Sequence, residues 1–247
     1  MSERSRDISE LLRAWPHERG RLAARIIDGD DEVPKLQVRL DLGILQMELD
    51  GRPDGLEPEG AATLFDHLQQ QIRTSGGELD EAACRGLREE AVQVYHRYVA
   101  LFSLGEYERV VRDTRRNLAV IDFCRQHAAR EEDRVMLEQF RPAVIAMRAR
   151  AEAEAAVTRR EPREAVAALD AALDEMRSFF DEHAEPELRE EVFERSGEAQ
   201  LLRGMRDALV PKLPASQRAE LEERLRAALD AENYELAAIL RDELRMM

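Results

Sequence analysis

Apolar and polar residues alternate with two different periods along this chain, and the change falls near residue 58. Residues 1–22 are polar apart from a short amphipathic stretch at Ile8, Leu11, Leu12 and Trp15, which Pro16 ends. Ala24-Arg25-Ile26-Ile27 then leads into the acidic turn Asp28-Gly29-Asp30-Asp31-Glu32. Beyond it Leu36, Val38, Leu40 and Leu42 alternate with Gln37, Arg39 and Asp41, the period of a half-buried strand. Gly43 interrupts the run, and Leu45, Met47 and Leu49 resume it. Asp50-Gly51-Arg52-Pro53-Asp54-Gly55 is a dense turn signal. The pattern predicts a three-stranded antiparallel meander over about 24–50. So small a sheet must lay one face on helices.

From residue 58 onward the apolar period is that of a helix. Helices are predicted over 61–73, closed by Gly76-Gly77; 81–103, capped by Asp80; 107–127; 132–158; 162–182, with Pro162 in its first turn; and from Pro186 to about 210. Within 81–103, Val92, Tyr95, Val99 and Phe102 are expected to line one face, and Val110, Val111, Leu118, Ile121 and Phe123 carry the apolar positions of 107–127. Pro211 and Pro214 bracket a linker, and two last helices fill 216–247.

Composition supports a helical array. Charged residues make up 36% of the 247 and aromatics 5%, with Ala, Leu, Glu and Arg dominant. The net charge of −15, from 52 carboxylates against 37 Lys and Arg, opposes binding to phosphate backbones or anionic membranes. Both lysines, Lys35 and Lys212, follow proline, so no phosphate-binding loop with Gly before Lys occurs. Cys84 and Cys124 sit among apolar neighbours, as buried reduced thiols do. The N-terminus MSERSRDISE is no secretory leader and no apolar run is long enough to span a bilayer, so a cytoplasmic protein is expected.

Two helix pairs over about 85–182 loosely resemble tetratricopeptide repeats. The junction Leu104-Gly105-Glu106-Tyr107 and the positions Ala165, Ala172 and Leu173 carry that likeness. Val110 and Asn117 depart from it, and the two junctions lie further apart than one standard repeat of about 34 residues. A generic antiparallel bundle fits the same pattern.

The C-terminal segment is more specific. Leu221, Leu225 and Leu229 recur every four residues, Asn233 is a good N-cap, and Glu235 suits a first helical turn. Tyr234, Ala237, Ala238 and Arg241 fall on one helical face, with the alanines allowing close approach of two helix axes. The run Tyr234-Glu235, Ala237-Ala238, Arg241-Asp242 and Leu244, behind a leucine-spaced helix, resembles the UVR motif of UvrB, UvrC and related bacterial proteins. The resemblance covers about 218–245 and implies a helical hairpin used for protein–protein contact. Leu225, Leu229, Tyr234, Leu240 and Leu244 would be the apolar contacts, packed around Ala237 and Ala238; Glu235, Arg241 and Asp242 would fix orientation. The helicase and nuclease modules of the repair proteins have no counterpart here, nor do the paired Cys-x-x-Cys zinc sites of stress-response adaptors.

Catalytic signatures are missing. No His-Glu-x-x-His or Gly-x-Ser-x-Gly occurs, and the histidines at 17, 67, 96, 127 and 183 are scattered. The turns Asp28–Glu32 and Asp50–Asp54 are either solvated hairpin turns or, together, an oxygen-rich hard-cation site, although neither has calcium-loop spacing. The sequence therefore predicts a mainly α protein: a small N-terminal antiparallel β-meander in 1–55, a TPR-like or bundle-type helical array in 56–212, and a helical hairpin in 215–247. The expected function is that of a non-enzymatic scaffold or adaptor without cofactor or metal, meeting a protein partner, or a second copy, through the hairpin. The rival readings are an accessory factor of nucleotide excision repair contacting UvrB/UvrC-type proteins or DNA, and an enzyme built on the two acidic turns.

Overall fold

The computed structural model describes residues 7–210 and, beyond them, 225, 226, 229, 236, 240 and 241. The chain divides into two compact units, Met1–Arg206 and Asp207–Met247.

The first unit opens with a short helix α1 (Ser9–Ala14) and a three-stranded antiparallel sheet, β1 (Ala23–Asp28), β2 (Pro34–Arg39) and β3 (Ile44–Glu48), in the order β1-β2-β3. The register sets Ile26, Leu36 and Met47 side by side, and likewise Ala24, Val38 and Leu45, so one face is apolar. That face lies on the helices: Leu36, Val38, Met47 and Leu49 share a core with Val94, Tyr98, Leu101 and Val110. The opposite face carries a polar ladder in which Gln37 accepts from Arg25 (2.8 Å) and donates to Gln46 (2.8 Å), with the Arg25 guanidinium 4.0 Å over the Trp15 ring. Leu40 and Leu42 do not continue β2. Leu40 and Gly43 exchange backbone hydrogen bonds that close a hairpin, which leaves Leu42 at its tip, 87% exposed.

Helices follow: α2 (Leu64–Ser75), α3 (Glu81–Ser103), α4 (Tyr107–His127), α5 (Glu131–Val135), α6 (Arg141–Thr158), α7 (Pro162–His183), α8 (Arg189–Arg195) and α9 (Gly197–Leu209). Thr63 caps α2 by accepting from the Asp66 amide (3.1 Å), and Asp80 caps α3 through the Ala83 amide (2.8 Å). The long helices α3, α4, α6 and α7 pack each on the next, which makes the body a helical array. No described helix is long and apolar enough to cross a membrane.

Two corners of this array share one backbone geometry. At the first, Gly105 has φ 78° and the Glu106 amide donates to Leu101 O (3.0 Å). At the second, Arg160 has φ 64° and the Glu161 amide donates to Ala156 O (2.9 Å). Each is a left-handed C-terminal cap followed at once by the next helix. The inserted segment 128–140 separates the two pairs, which is why the spacing exceeds a standard repeat.

Three expectations are corrected. The helix expected over 132–158 breaks into α5, a 3-10 turn at Glu138–Phe140, and α6. Pro142 in the first turn of α6 explains this, because its ring and missing N–H forbid continuation from upstream. The helix expected from Pro186 to 210 breaks at Ser196, whose hydroxyl accepts from the Ala199 amide (3.3 Å) and caps α9. The buried face of α3 is not the one the apolar spacing suggested. Val92 and Tyr95 are about half exposed, whereas Cys84, Leu87, Val94, Tyr98 and Leu101 are buried together with Glu90 and Arg97.

Candidate functional site

The strand-and-turn block is built on ion pairs. Arg97 is 1% exposed and donates to both carboxylate oxygens of the buried Asp113 (2.7 and 2.9 Å), and to the carbonyls of Glu48 (3.1 Å) and Gly51 (2.8 Å). A guanidinium can serve a carboxylate and two carbonyls at once because its donors form a planar fork. Thus α3 and α4 are tied to the end of β3 and the following turn. Glu90, fully buried, accepts from the amides of Leu64 (2.8 Å) and Phe65 (3.2 Å), the first two residues of α2, and pairs with Arg116. A carboxylate there satisfies amides that have no partner within their own helix and meets the positive end of its dipole. Neither group was singled out from the sequence. The only signal is that Glu90 and Arg97 stand seven residues apart within an otherwise apolar helical face.

The two acidic turns do converge, on a cavity of about 400 Å³ lined by Asp31, Lys35, Glu48, Asp50 and Arg52 among others. The cation at its edge is the chain's own. Lys35 Nζ lies 2.8 Å from Asp31 Oδ2 and 2.7 Å from Glu48 Oε1, and the residue is 8% exposed. Hydrogen bonds to Asp31 and Glu48 hold the Lys35 ammonium above its ordinary pKa, and the bond from Lys35 holds the Asp31 carboxyl below the usual carboxylate range. Asp50 pairs with Arg109 (3.2 Å) and Arg112. Burial alone would raise its pKa, but the two guanidinia hold it low. No group of three or more His, Cys, Asp or Glu suited to a metal ion occurs among the described residues. The arrangement is thus a self-neutralised scaffold, in which Lys35 stands where a hard cation was considered.

The other reactive side chains are dispersed. His127 packs on Phe123 (4.9 Å between rings), His183 stacks on Phe179 (4.3 Å), and His96 adjoins Tyr95 (5.5 Å). Cys84, in α3, and Cys124, in α4, are free and buried, and the Cys84 thiol donates to Leu79 O (4.0 Å). Burial pushes the Cys124 thiol up to about 12 and raises that of Cys84 as well, so neither is an effective nucleophile at neutral pH.

Of the hairpin residues expected to meet a partner, Leu225, Leu229, Leu240 and Arg241 are described, and all four are helical. Leu240 is buried at 1% exposure, Leu225 is half-buried, Leu229 is 49% exposed, and Arg241 is exposed. Tyr234, Glu235, Ala237, Ala238, Asp242 and Leu244 lie outside the described residues. Comparison with family models, curated proteins and solved structures gives no match to this chain.

Proposed function

We propose that the chain is a non-enzymatic scaffold or adaptor whose C-terminal UVR-like hairpin contacts a protein partner. The observation that carries this reading is the state of Leu229, a large apolar side chain that stays about half exposed on a helical residue of the compact unit Asp207–Met247. An aliphatic side chain held in water, in a unit that buries Leu240, suits a hairpin that keeps part of its apolar surface for itself and offers another part. The body supports the same reading. Its large buried charges serve helix caps and loop anchoring, and its buried thiols are unreactive, so its features are those of a framework.

Affinity capture from native cells tests the proposal, with the full chain set against one ending at Pro214 and against Leu229→Glu and Tyr234→Ala in the full chain. A partner retained by the full chain, lost on truncation and depleted by both substitutions is the expected outcome. Equal recovery of the same partners by all four proteins would overturn it. A salt-sensitive gel shift with duplex DNA would favour the repair-accessory reading, against which the net charge of −15 stands.

A further inference from the structure

The two helix interruptions that the sequence pattern conceals meet at one place. Gln139, in the 3-10 turn before α6, and Ser196, at the break between α8 and α9, line the same groove of about 540 Å³. Its apolar lining comes from Pro142, Phe180, Leu188 and Val192. Leu188 is 47% exposed and Val192 38%, so this lining faces water. Interrupted helices lose backbone hydrogen bonds, and a fold that accepts two of them side by side has opened a trough that continuous helices would have filled.

The rim has a sign. Glu191, paired with Arg195, and Glu198 line the groove, and residues 181–198, which form most of its wall, carry eight carboxylates; Glu182, Glu190, Glu191 and Glu194 pair with arginines, and Asp181, Glu185, Glu187 and Glu198 are the acidic surplus. An apolar trough bordered by a wall with a surplus of carboxylates matches a helix with one aliphatic face and lysines or arginines along its flank, with anchors at i, i+3, i+4 and i+7. We infer that this groove, within the unit Met1–Arg206 and separate from the hairpin, docks a basic amphipathic helix of a partner protein.

The test uses the full chain and a synthetic peptide of about 18 residues, long enough to hold a helix, with leucines at i, i+3, i+4 and i+7 and lysines elsewhere. A scramble of the same composition, without an apolar face, controls for attraction to the acidic chain at large. Titration calorimetry at about 0.15 M salt is expected to show the patterned peptide binding about tenfold or more tighter than the scramble. The double substitution Leu188→Ser/Val192→Ser, both at exposed positions, removes that margin while leaving the melting temperature unchanged. Glu187→Gln/Glu191→Gln/Glu198→Gln weakens binding and flattens its salt dependence. Equal binding of patterned and scrambled peptides overturns the inference, as does equal binding of a leucine/glutamate peptide. So does unchanged affinity in the Leu188→Ser/Val192→Ser protein. A dimer that sedimentation detects in the parent chain and not in that variant would assign the groove to a second copy and overturn it equally.

Discussion

The substitution Arg97→Met isolates what the buried ion network contributes. Arg97 and Asp113 have side-chain exposures of 2% and 1%, so solvent screens the pair little. Methionine fills much of the same volume but removes four hydrogen bonds: two to Asp113, one to Glu48 O and one to Gly51 O. Asp113 keeps only Arg112, which is 41% exposed and is shared with Asp50 and Leu49 O. Removing one partner of a buried pair costs about 3–5 kcal/mol, because the remaining charge is stranded rather than because the pair itself is strongly favourable. For a unit of this size that is a fall in melting temperature of about 6–20 °C. Replacing both charges, as Arg97→Met/Asp113→Leu, removes the stranded carboxylate. The double variant should then be less destabilised than the sum of the singles by about 2–3 kcal/mol. Urea denaturation of the four proteins closes this cycle, and amide exchange adds a local readout: protection of residues 48–51 should fall in both Arg97 variants. An Arg97→Met protein that loses less than about 1 kcal/mol, or strictly additive singles, would refute the assignment of Arg97 as a buried, paired anchor.

Three further outcomes follow from the same structure. Arg160→Gly should stabilise the body by about 1 kcal/mol, since Arg160 occupies the left-handed region that glycine adopts without strain; Gly105→Ala should cost about as much, because a Cβ there meets nothing within 4 Å and the penalty is purely conformational; thermal melts check both. Asp31, Asp50 and Asp54 have depressed carboxyl pKa values, so their contribution is complete above the ordinary carboxylate value of about 4 and is lost as pH falls through the lowered values. Urea midpoints measured from pH 6 downward should therefore fall less steeply in Asp50→Asn than in the parent chain. Cys84 and Cys124 should fail to react with an aromatic disulfide reagent in the native protein and react fully in denaturant, which an absorbance time course reads directly.

Much of the fold was legible because period and punctuation agree. The alternation at Leu36–Val38 and Leu45–Met47, with the turns between, placed three strands, and Asp80, Gly105 and Pro162 marked helix ends at positions the structure keeps. What escaped was decided by partners distant in the chain. Glu90 and Arg97 give no sign of burial in the sequence, where the apolar spacing sets Val92, Tyr95, Val99 and Phe102 on one face. The true face is rotated toward Glu90 and Arg97 because Asp113 and the amides of α2 receive those charges. Pro142 and Ser196 lie inside runs whose helical period is continuous on either side, so the pattern alone does not show the breaks they make. In the acidic turns, oxygen-rich composition suggested a cation without showing that Lys35, across the strand pair, would supply it.

The locations of these errors connect the framework to its surfaces. Where a buried charge sits on an apolar helix face, it serves cohesion: Glu90 holds the start of α2, and Arg97 holds the turn after β3. Where the helix expected over 132–158 is interrupted before α6, an apolar side chain stays exposed, Phe140 at 52%, and Leu188, ahead of α8, is 47% exposed. A protein selected for stability alone gains by continuing its helices and covering such residues. The two departures thus act in opposite directions, one spending polar groups to rigidify the array and the other leaving apolar groups uncovered. That combination is what a rigid framework with surfaces reserved for partners requires, because interaction surfaces must stay accessible while their positions stay fixed. It predicts that the Arg97 and groove substitutions separate cleanly. Arg97→Met should lower stability throughout the first unit, whereas Leu188→Ser/Val192→Ser should leave stability intact and alter only what binds.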